Sequence, residues 1–239
     1  MPEAHLKVEL LSMTPEGETL VALAAKLCYA NSDVASLKEK VSANDQSAFL
    51  RKILESGHLS VVEHVSLTFA VEGVSRALLA QLTRHRIASF SVQSQRYVSL
   101  EKGFNYILPP RIQELGEEAA ARYHAQMAQM HTWYLEWQEA LGQGEKGNED
   151  ARFVLPNACE TRLVMTMNAR ELKHFFKLRC CERAQWEIRA LATEMLRIAR
   201  AKLPGLFSED GPGCVSGPCP EGRMTCGKIK EIREKFKQL

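Results

Sequence analysis

The chain has 239 residues, 45% of them hydrophobic, and a formal net charge of +2 at neutral pH. That content can build a sizeable core, and a charge so near zero excludes a general nucleic-acid coat, so any anion binding must come from arginines clustered locally. Seven cysteines, an odd number with Cys180 and Cys181 adjacent, do not read as a secreted disulfide framework. The N-terminus lacks the apolar stretch of a signal peptide, and no run approaches the roughly 18–20 apolar residues of a membrane span, so a cytoplasmic protein with no membrane partner is expected.

Residues 6–11 read as a short strand. Thr14-Pro15-Glu16 then offers an N-cap, a proline at the first helical position and an acid in the first turn, for a helix reaching about Tyr29 with Cys28 as a small buried hydrophobe. Between Asp45 and Glu55, Phe49, Leu50, Ile53 and Leu54 recur at helical spacing, and Gly57 is placed to stop that helix with a left-handed residue. His58 is left just beyond the helix end. Ser60-Val61-Val62-Glu63 has the capping-box form, so a new short helix starts within three residues. Such a corner exposes backbone donors and a histidine, which is either a ligand contact or a solvated turn residue.

Val65 to Glu72 alternates large apolar with small or polar residues, the mark of a strand with one buried face, and Gly73 is read as its end. Ser75 can cap a helix running to Thr83, which brings Gln81 and Arg84 about one turn apart and able to address one ligand. Next comes the densest polar stretch of the chain, Arg84-His85-Arg86, then Ser89 and Ser94 five apart, then Gln95, Arg96 and Tyr97. A guanidinium is permanently charged and presents donors in a planar fork suited to phosphate and imide oxygens, so this stretch suggests a surface for an anionic, hydrogen-bonding ligand. The competing reading is a basic surface loop. Tyr97-Val98-Ser99 is more strand-like than helical, which predicts an extended segment beside the sheet.

After Pro109-Pro110 a single long helix is predicted over residues 111–141. Its stripe of Tyr123, Met127, Met130, Trp133, Tyr134 and Trp137 reads as packing, and His124 and His131 have no companion ligands. Residues 142–147 form a flexible break without a domain boundary. Asn148 to Pro156 holds Arg152 on a short helical turn. Thr161 to Met167 is a second core strand ended by Asn168; Ala169 to Arg179 is helical, with His174 within it, and a last helix runs from Ala184 to Lys202. In the tail, Cys214, Cys219 and Cys226 lie among turn residues. With Cys180 or Cys181 they could make a tetrahedral zinc site, although the spacing is not a paired C-x-x-C ribbon, and disulfide or free thiols remain open.

Several of these blocks resemble one known family. Arg84-His85-Arg86, seven residues and then Ser94, continued by Gln95-Arg96-Tyr97, is similar to the signature of the flavin-dependent thymidylate synthases. Gly57-His58 with Glu63-His64, Arg152 with Val154-Leu155-Pro156, Asn168-Ala169-Arg170, and Leu178-Arg179 leading to Ala184-Gln185-Trp186-Glu187 agree in order. The resemblance covers roughly residues 6–205. It divides the chain into a synthase domain, 1–205, and a cysteine-containing extension, 206–239, packed on or continuing it.

The resemblance implies an α/β (α+β) subunit, with a central, mostly antiparallel sheet flanked by helices, in a homotetramer with interfacial active sites. It implies FAD as cofactor, dUMP as substrate, NADPH and methylenetetrahydrofolate as co-substrates, and dTMP as product. Carried over by position, Ser60, Arg84, His85, Arg86, Asn168 and His174 would contact FAD, with His58 on the folate side. Gln81, Arg84, Ser94, Gln95, Arg96, Arg152 and Arg179 would contact dUMP. Arg179 would be catalytic, since a cation near N3 and its neighbouring oxygens favours the electron-rich form of uracil that C5 needs to act as a nucleophile. No general base is fixed beside Ser94, so a ligand-binding hydroxyl is expected there rather than a nucleophile. Neither Cys180 nor Cys181 sits in the motif of the folate-only synthases. Two departures stand out: His174 where many relatives have asparagine, and Val92 where others have Glu or Gln. The alternative functions are a basic nucleotide- or RNA-binding protein without catalysis, and a flavin- and folate-dependent methyltransferase acting on uracil in RNA.

Overall fold

The computed structural model describes residues 1–239. The elements run β1 (Lys7–Met13), α1 (Gly17–Leu27), α2 (Val34–Ser42), α3 (Ser47–Glu55), a 3-10 turn (Leu59–His64), β2 (Ser66–Ser75), α4 (Arg76–Leu82) and β3 (Ala88–Val92). They continue as α5 (Pro110–Gln113), α6 (Glu117–Leu141), α7 (Glu145–Ala151), β4 (Glu160–Asn168), α8 (Ala169–Arg179), α9 (Trp186–Lys202), α10 (Pro204–Phe207) and α11 (Ile229–Lys237). The strands form one small antiparallel sheet, in the order β1-β2-β4-β3, flanked by helices. The chain divides into two compact units, and every strand contributes residues to both.

The first unit comprises residues 1–9, 70–84 and 90–164. Met127 and Tyr134 on α6 are buried, Met127 joining Phe104, Tyr106 and Cys159 in one apolar cluster. Trp133, Trp137 and Leu141 instead stand exposed at spacings of four, so the aromatic stripe expected to pack does so only in part. The long helix is also broken. Gly116, at φ +99°, separates α5 from α6 in a conformation that L side chains rarely adopt. His124 bonds Tyr106 through Nδ1 and His131 bonds the Leu100 carbonyl at 2.8 Å, so both serve the packing of α6. Residues 145–151 form α7 rather than a flexible break.

Gly73 does not end β2, which continues to Ser75. It sits at φ +67°, where an added Cβ would lie 1.9 Å from the His5 carbonyl oxygen. The glycine is required by close backbone approach inside the strand, not by a turn. Ser75 caps α4 as expected, its hydroxyl accepting from Leu78 N–H at 3.1 Å.

The second unit comprises residues 10–69, 85–89 and 165–239. Leu67 and Phe69 of β2 and Met165 and Met167 of β4 are buried at alternating positions, while Thr68 and Thr166, on the other face, bond each other at 2.9 Å. Thr14 is not a helix cap: its hydroxyl accepts from Ser66 N–H at 3.0 Å, and Glu16, left-handed at φ 49°, precedes α1 instead. Cys28 follows the last residue of α1 and is exposed, which corrects the expectation of burial. Gly57 stops α3 at φ +76°, and the short helix beyond it forms without a side-chain cap from Ser60. Helix α9 is not the last element. Arg200 reaches from it to the carbonyls of Asp210 at 2.6 Å and Phe236 at 2.5 Å, tying the C-terminal residues to this unit. No helix is long and apolar enough to cross a membrane.

Candidate functional site

The residues singled out in the sequence fall into two groups, one in each unit. The first unit holds Gln81, Arg84, Ser94, Gln95, Arg96 and Arg152. Arg84 lies just beyond the end of α4 and is exposed. Strand β3 stops at Val92, and the chain then turns: the Ser94 hydroxyl accepts from the N–H of Arg96 at 3.1 Å and of Tyr97 at 3.4 Å. The extended path expected through Tyr97-Val98-Ser99 is therefore corrected to a turn capped by Ser94, because a serine side chain satisfies two backbone donors there.

That turn delivers Arg96 to α7. Its Nη2 is 2.5 Å from Glu145 Oε1 and its Nε 2.8 Å from Glu149 Oε2, two carboxylates four residues apart on one helix. Arg152 donates from Nε to the Glu149 carbonyl at 3.0 Å, so both arginines converge on Glu149. Asn148, buried beside it, donates to the Arg96 carbonyl at 3.1 Å and bonds Tyr134 and Gln138 of α6. Gln95 reaches the buried Cys159 thiol at 3.4 Å. Nearby, Arg76 donates to the Gln93 carbonyl at 3.1 Å and the Thr161 hydroxyl at 3.3 Å, and burial lowers its pKa from the usual guanidinium value.

Sequence reasoning missed Glu145, Glu149 and Arg76. The Glu145–Glu149 spacing of four, which puts both carboxylates on one helix face, was a legible signal for the acidic pair. Arg76 carried none beyond following a helix cap.

The second unit holds His58, Ser60, His85, Arg86, Asn168, His174 and Arg179. His58, Ser60, Arg86 and His174 are exposed. Asn168 caps α8, its Oδ1 accepting from Glu171 N–H at 2.9 Å. His85 is buried at 5% exposure, its ring edge-on to Phe175 at 4.9 Å between centroids. One ring nitrogen, Nδ1, lies 3.0 Å from Glu171 Oε1, and the other, Nε2, accepts from Arg179 Nε–H at 3.0 Å. Both His85 nitrogens are thus engaged within the protein. Burial pulls its pKa below the ordinary value, with Arg179 and His174 pulling the same way and Glu171 opposing.

Asn168, Glu171 and His174 also line a cavity of about 1330 Å³ within this unit. Its wall carries both signs of charge, with Arg51, Arg170, Lys173 and Lys177 facing six carboxylates, Glu63 pairing Arg170 and Asp210 pairing Lys173, while Leu54, Leu59 and Ile87 supply apolar surface. The volume exceeds the roughly 300–1,000 Å³ of ordinary small-ligand pockets.

All seven cysteines are free thiols, and no group of three or more His, Cys, Asp or Glu side chains is arranged to hold a metal. Burial raises the Cys214 thiol pKa, with the charges of Cys219, Cys181 and Cys226 pushing the same way, so these four cysteines share one neighbourhood. Cys180 is instead buried, and burial pushes its thiol up to about 12.

A family model described as thymidylate synthase complementing protein matches residues 9–205. The chain is 52% identical over 235 residues to the flavin-dependent thymidylate synthase of Geobacter sulfurreducens, covering 98% of this chain and 99% of that one. It is 48% identical over 240 residues to the flavin-dependent thymidylate synthase of Clostridium tetani, covering 96% of each chain. With that of Pyrococcus horikoshii it shares 40% over 243 residues, covering 98% of each.

Proposed function

Because the chain belongs to the flavin-dependent thymidylate synthase family, we propose that it converts dUMP to dTMP, with FAD as cofactor, methylenetetrahydrofolate as methylene donor and NADPH as reductant. The observation that carries this reading is the 52% identity, over 98% of this chain, with a protein of that name.

The residues of the first unit have the chemistry for the nucleotide. Arg96 and Arg152 supply guanidinium forks for phosphate oxygens, with Gln81, Arg84, Ser94 and Gln95 as further donors and acceptors. Glu149 holds Arg96 by its carboxylate and Arg152 by its main-chain carbonyl before a ligand arrives, so binding at Arg96 would exchange a carboxylate partner for a phosphate. Ser60, Arg84, Arg86, Asn168 and His174 would contact FAD, with His58 on the folate side; the His85 ring, expected there too, has both nitrogens engaged within the protein and would not. When bound, the flavin supplies the hydride that completes the methyl group.

Arg179 is the residue assigned to activation. Its guanidinium, placed at uracil N3 and its neighbouring oxygens, stabilises the charge that makes C5 nucleophilic, and being held beforehand it needs no reorganisation at the moment of reaction. His85 enters from behind, through its bond to Arg179.

We further read the assembly as a homotetramer. The exposed Trp133, Trp137 and Leu141 on α6 are the kind of apolar surface that a subunit contact covers. Residues 1–205 are read as the synthase domain and 206–239 as an extension packed on it, with the Lys173–Asp210 pair at 2.6 Å among its ties. The free thiols suit the cytoplasm.

The test is turnover. The purified protein should absorb near about 450 nm and release tritium from 5-tritiated dUMP only with methylenetetrahydrofolate and NADPH. A colourless protein that binds RNA with a steep loss of affinity in salt would replace this reading with the non-catalytic one. Methylation of RNA uracil without turnover of free dUMP would replace it with the RNA methyltransferase.

A further inference from the structure

We propose that Glu171 is a positioning residue for Arg179, acting through His85 in a buried carboxylate–imidazole–guanidinium chain that aims the guanidinium. The assignment rests on the role given to Arg179 in the proposed reaction; the chain of contacts itself is geometric.

Glu171 and Arg179 both lie on α8, eight residues apart, and at 1.5 Å rise per residue they are separated by about 12 Å along the axis. They cannot meet directly. His85, arriving from the segment after α4, spans them with its two ring nitrogens, each at 3.0 Å from its partner. The ring is confined on a third side by Phe175, at 82° to it, and the carboxylate is itself buried at 8% exposure. The near end of the chain is anchored too. Asn168 caps α8 by accepting the backbone N–H of Glu171, which fixes where the carboxylate starts.

The protonation states follow from the donor and acceptor inventory. Arginine has no acceptor, so Nε2 of His85 must be the unprotonated nitrogen, and in a neutral ring Nδ1 then carries the proton. That proton requires an acceptor in a place water scarcely reaches, and the Glu171 carboxylate is the group beside it. The chain therefore runs in one direction, Arg179 donating to His85 and His85 donating to Glu171. A second proton on His85 would set an Nε2–H against the Arg179 Nε–H and break it. The planar guanidinium, held at Nε, has its plane set by the imidazole, and the direction of its terminal nitrogens follows. Glutamine at 171 preserves an acceptor oxygen of the same reach, whereas leucine removes it.

The experiment uses the purified flavoprotein, its Glu171→Gln, Glu171→Leu and Arg179→Ala variants, and 15N-labelled histidine. Long-range proton–nitrogen spectra, with His85 assigned by its loss in His85→Gln, should show Nδ1 protonated and Nε2 unprotonated at neutral pH. The Nε2 resonance should shift in Arg179→Ala. Glu171→Leu should lower kcat by about tenfold or more with KM for dUMP and flavin content within about threefold, and Glu171→Gln should restore kcat to within about threefold of the parent. An Nε2-protonated ring in the parent, an unmoved Nε2 resonance in Arg179→Ala, or a folded Glu171→Leu with kcat within about twofold of the parent, would each overturn the proposal. Should Glu171→Leu not fold, the tautomer and the Arg179→Ala shift decide. Failure of the parent to turn over dUMP would remove the assigned reaction, and with it the role of Arg179, while the spectra still report whether the chain of bonds exists.

Discussion

Arg96 Nε lies 2.8 Å from Glu149 Oε2, so the arginine offered to a substrate phosphate is already held by a carboxylate. Arg96 is 40% exposed and Glu149 44%, which places the pair in the class of ion pairs worth about 0–1 kcal/mol of stability. Arg96→Ala should leave the melting temperature nearly unchanged and raise KM for dUMP by about tenfold or more, because a phosphate contact carries roughly 1.5–3 kcal/mol. Arg96→Lys should recover only part of this, a point charge lacking the fork. Steady-state kinetics beside thermal melts check both, and an unchanged KM in Arg96→Ala would remove the residue from the nucleotide site.

Arg179→Ala should fold, bind flavin and lose nearly all turnover, a fall of about a hundredfold or more if an electrostatic contact made in the transition state is removed. Its neighbours predict the retained fold. The cap at Asn168 and the buried Leu172, Phe175 and Phe176 hold α8 without it. Flavin absorbance, circular dichroism and tritium release measured on one preparation settle the matter; near-normal turnover would contradict the assignment.

Gly73→Ala should cost at least about 3 kcal/mol of stability, since φ +67° is unfavourable for alanine and the new methyl would lie 1.9 Å from the His5 carbonyl oxygen. Gly57→Ala, with nothing within 4 Å of its Cβ, should cost only the backbone term of about 1 kcal/mol. Urea unfolding of the two variants compares them directly.

His85 titrates with a defined sign. Burial, aided by the Arg179 and His174 charges and opposed by Glu171, lowers its folded pKa below 6.5. Below pH 6.5 the unfolded chain takes up a proton that the folded chain refuses, so this residue's contribution is fully present above 6.5 and is lost as pH falls toward the folded pKa. The loss has a limiting slope of about 1.4 kcal/mol per pH unit. Unfolding free energies between about pH 7.5 and 5 should therefore fall more steeply in the parent than in His85→Gln, and equal slopes would count against the shift.

Thiol labelling should sort the cysteines. Cys28 is exposed and should react first with a soluble disulfide reagent. Cys159, pushed up to about 11, and Cys180, pushed up to about 12, are buried and should stay unmodified in the native protein. Mass mapping after short exposure gives the order, and early modification of Cys180 would show that the core around it opens.

Much of the architecture was legible because it rests on local chemistry. Ser75 and Asn168 are short polar residues that cap α4 and α8, and the alternation in β2 and β4 marks one buried face along each strand. The failures have physical causes as well. Thr14 was read as a cap because its local sequence favours one, but Ser66 from the neighbouring strand claims its hydroxyl. Gly73 was read as a strand end, since sequence does not reveal that another backbone passes within contact distance. Gly116 divides a helix whose apolar spacing runs on without a visible break.

The same division holds at the candidate site. Residue types and spacing alone marked Arg84 to Arg96, Arg152 and Asn168 to Arg179 as a set suited to anions, because a guanidinium keeps its charge and its fork in any setting. Partnership was decided by tertiary structure. Glu149 met Arg96 across 53 positions and His85 met Arg179 across 94, separations at which no periodicity of helix or strand relates two side chains. Burial of His85 between Glu171 and Arg179 then fixed which nitrogen carries the proton, since only a desolvated ring must find both its partners within the fold.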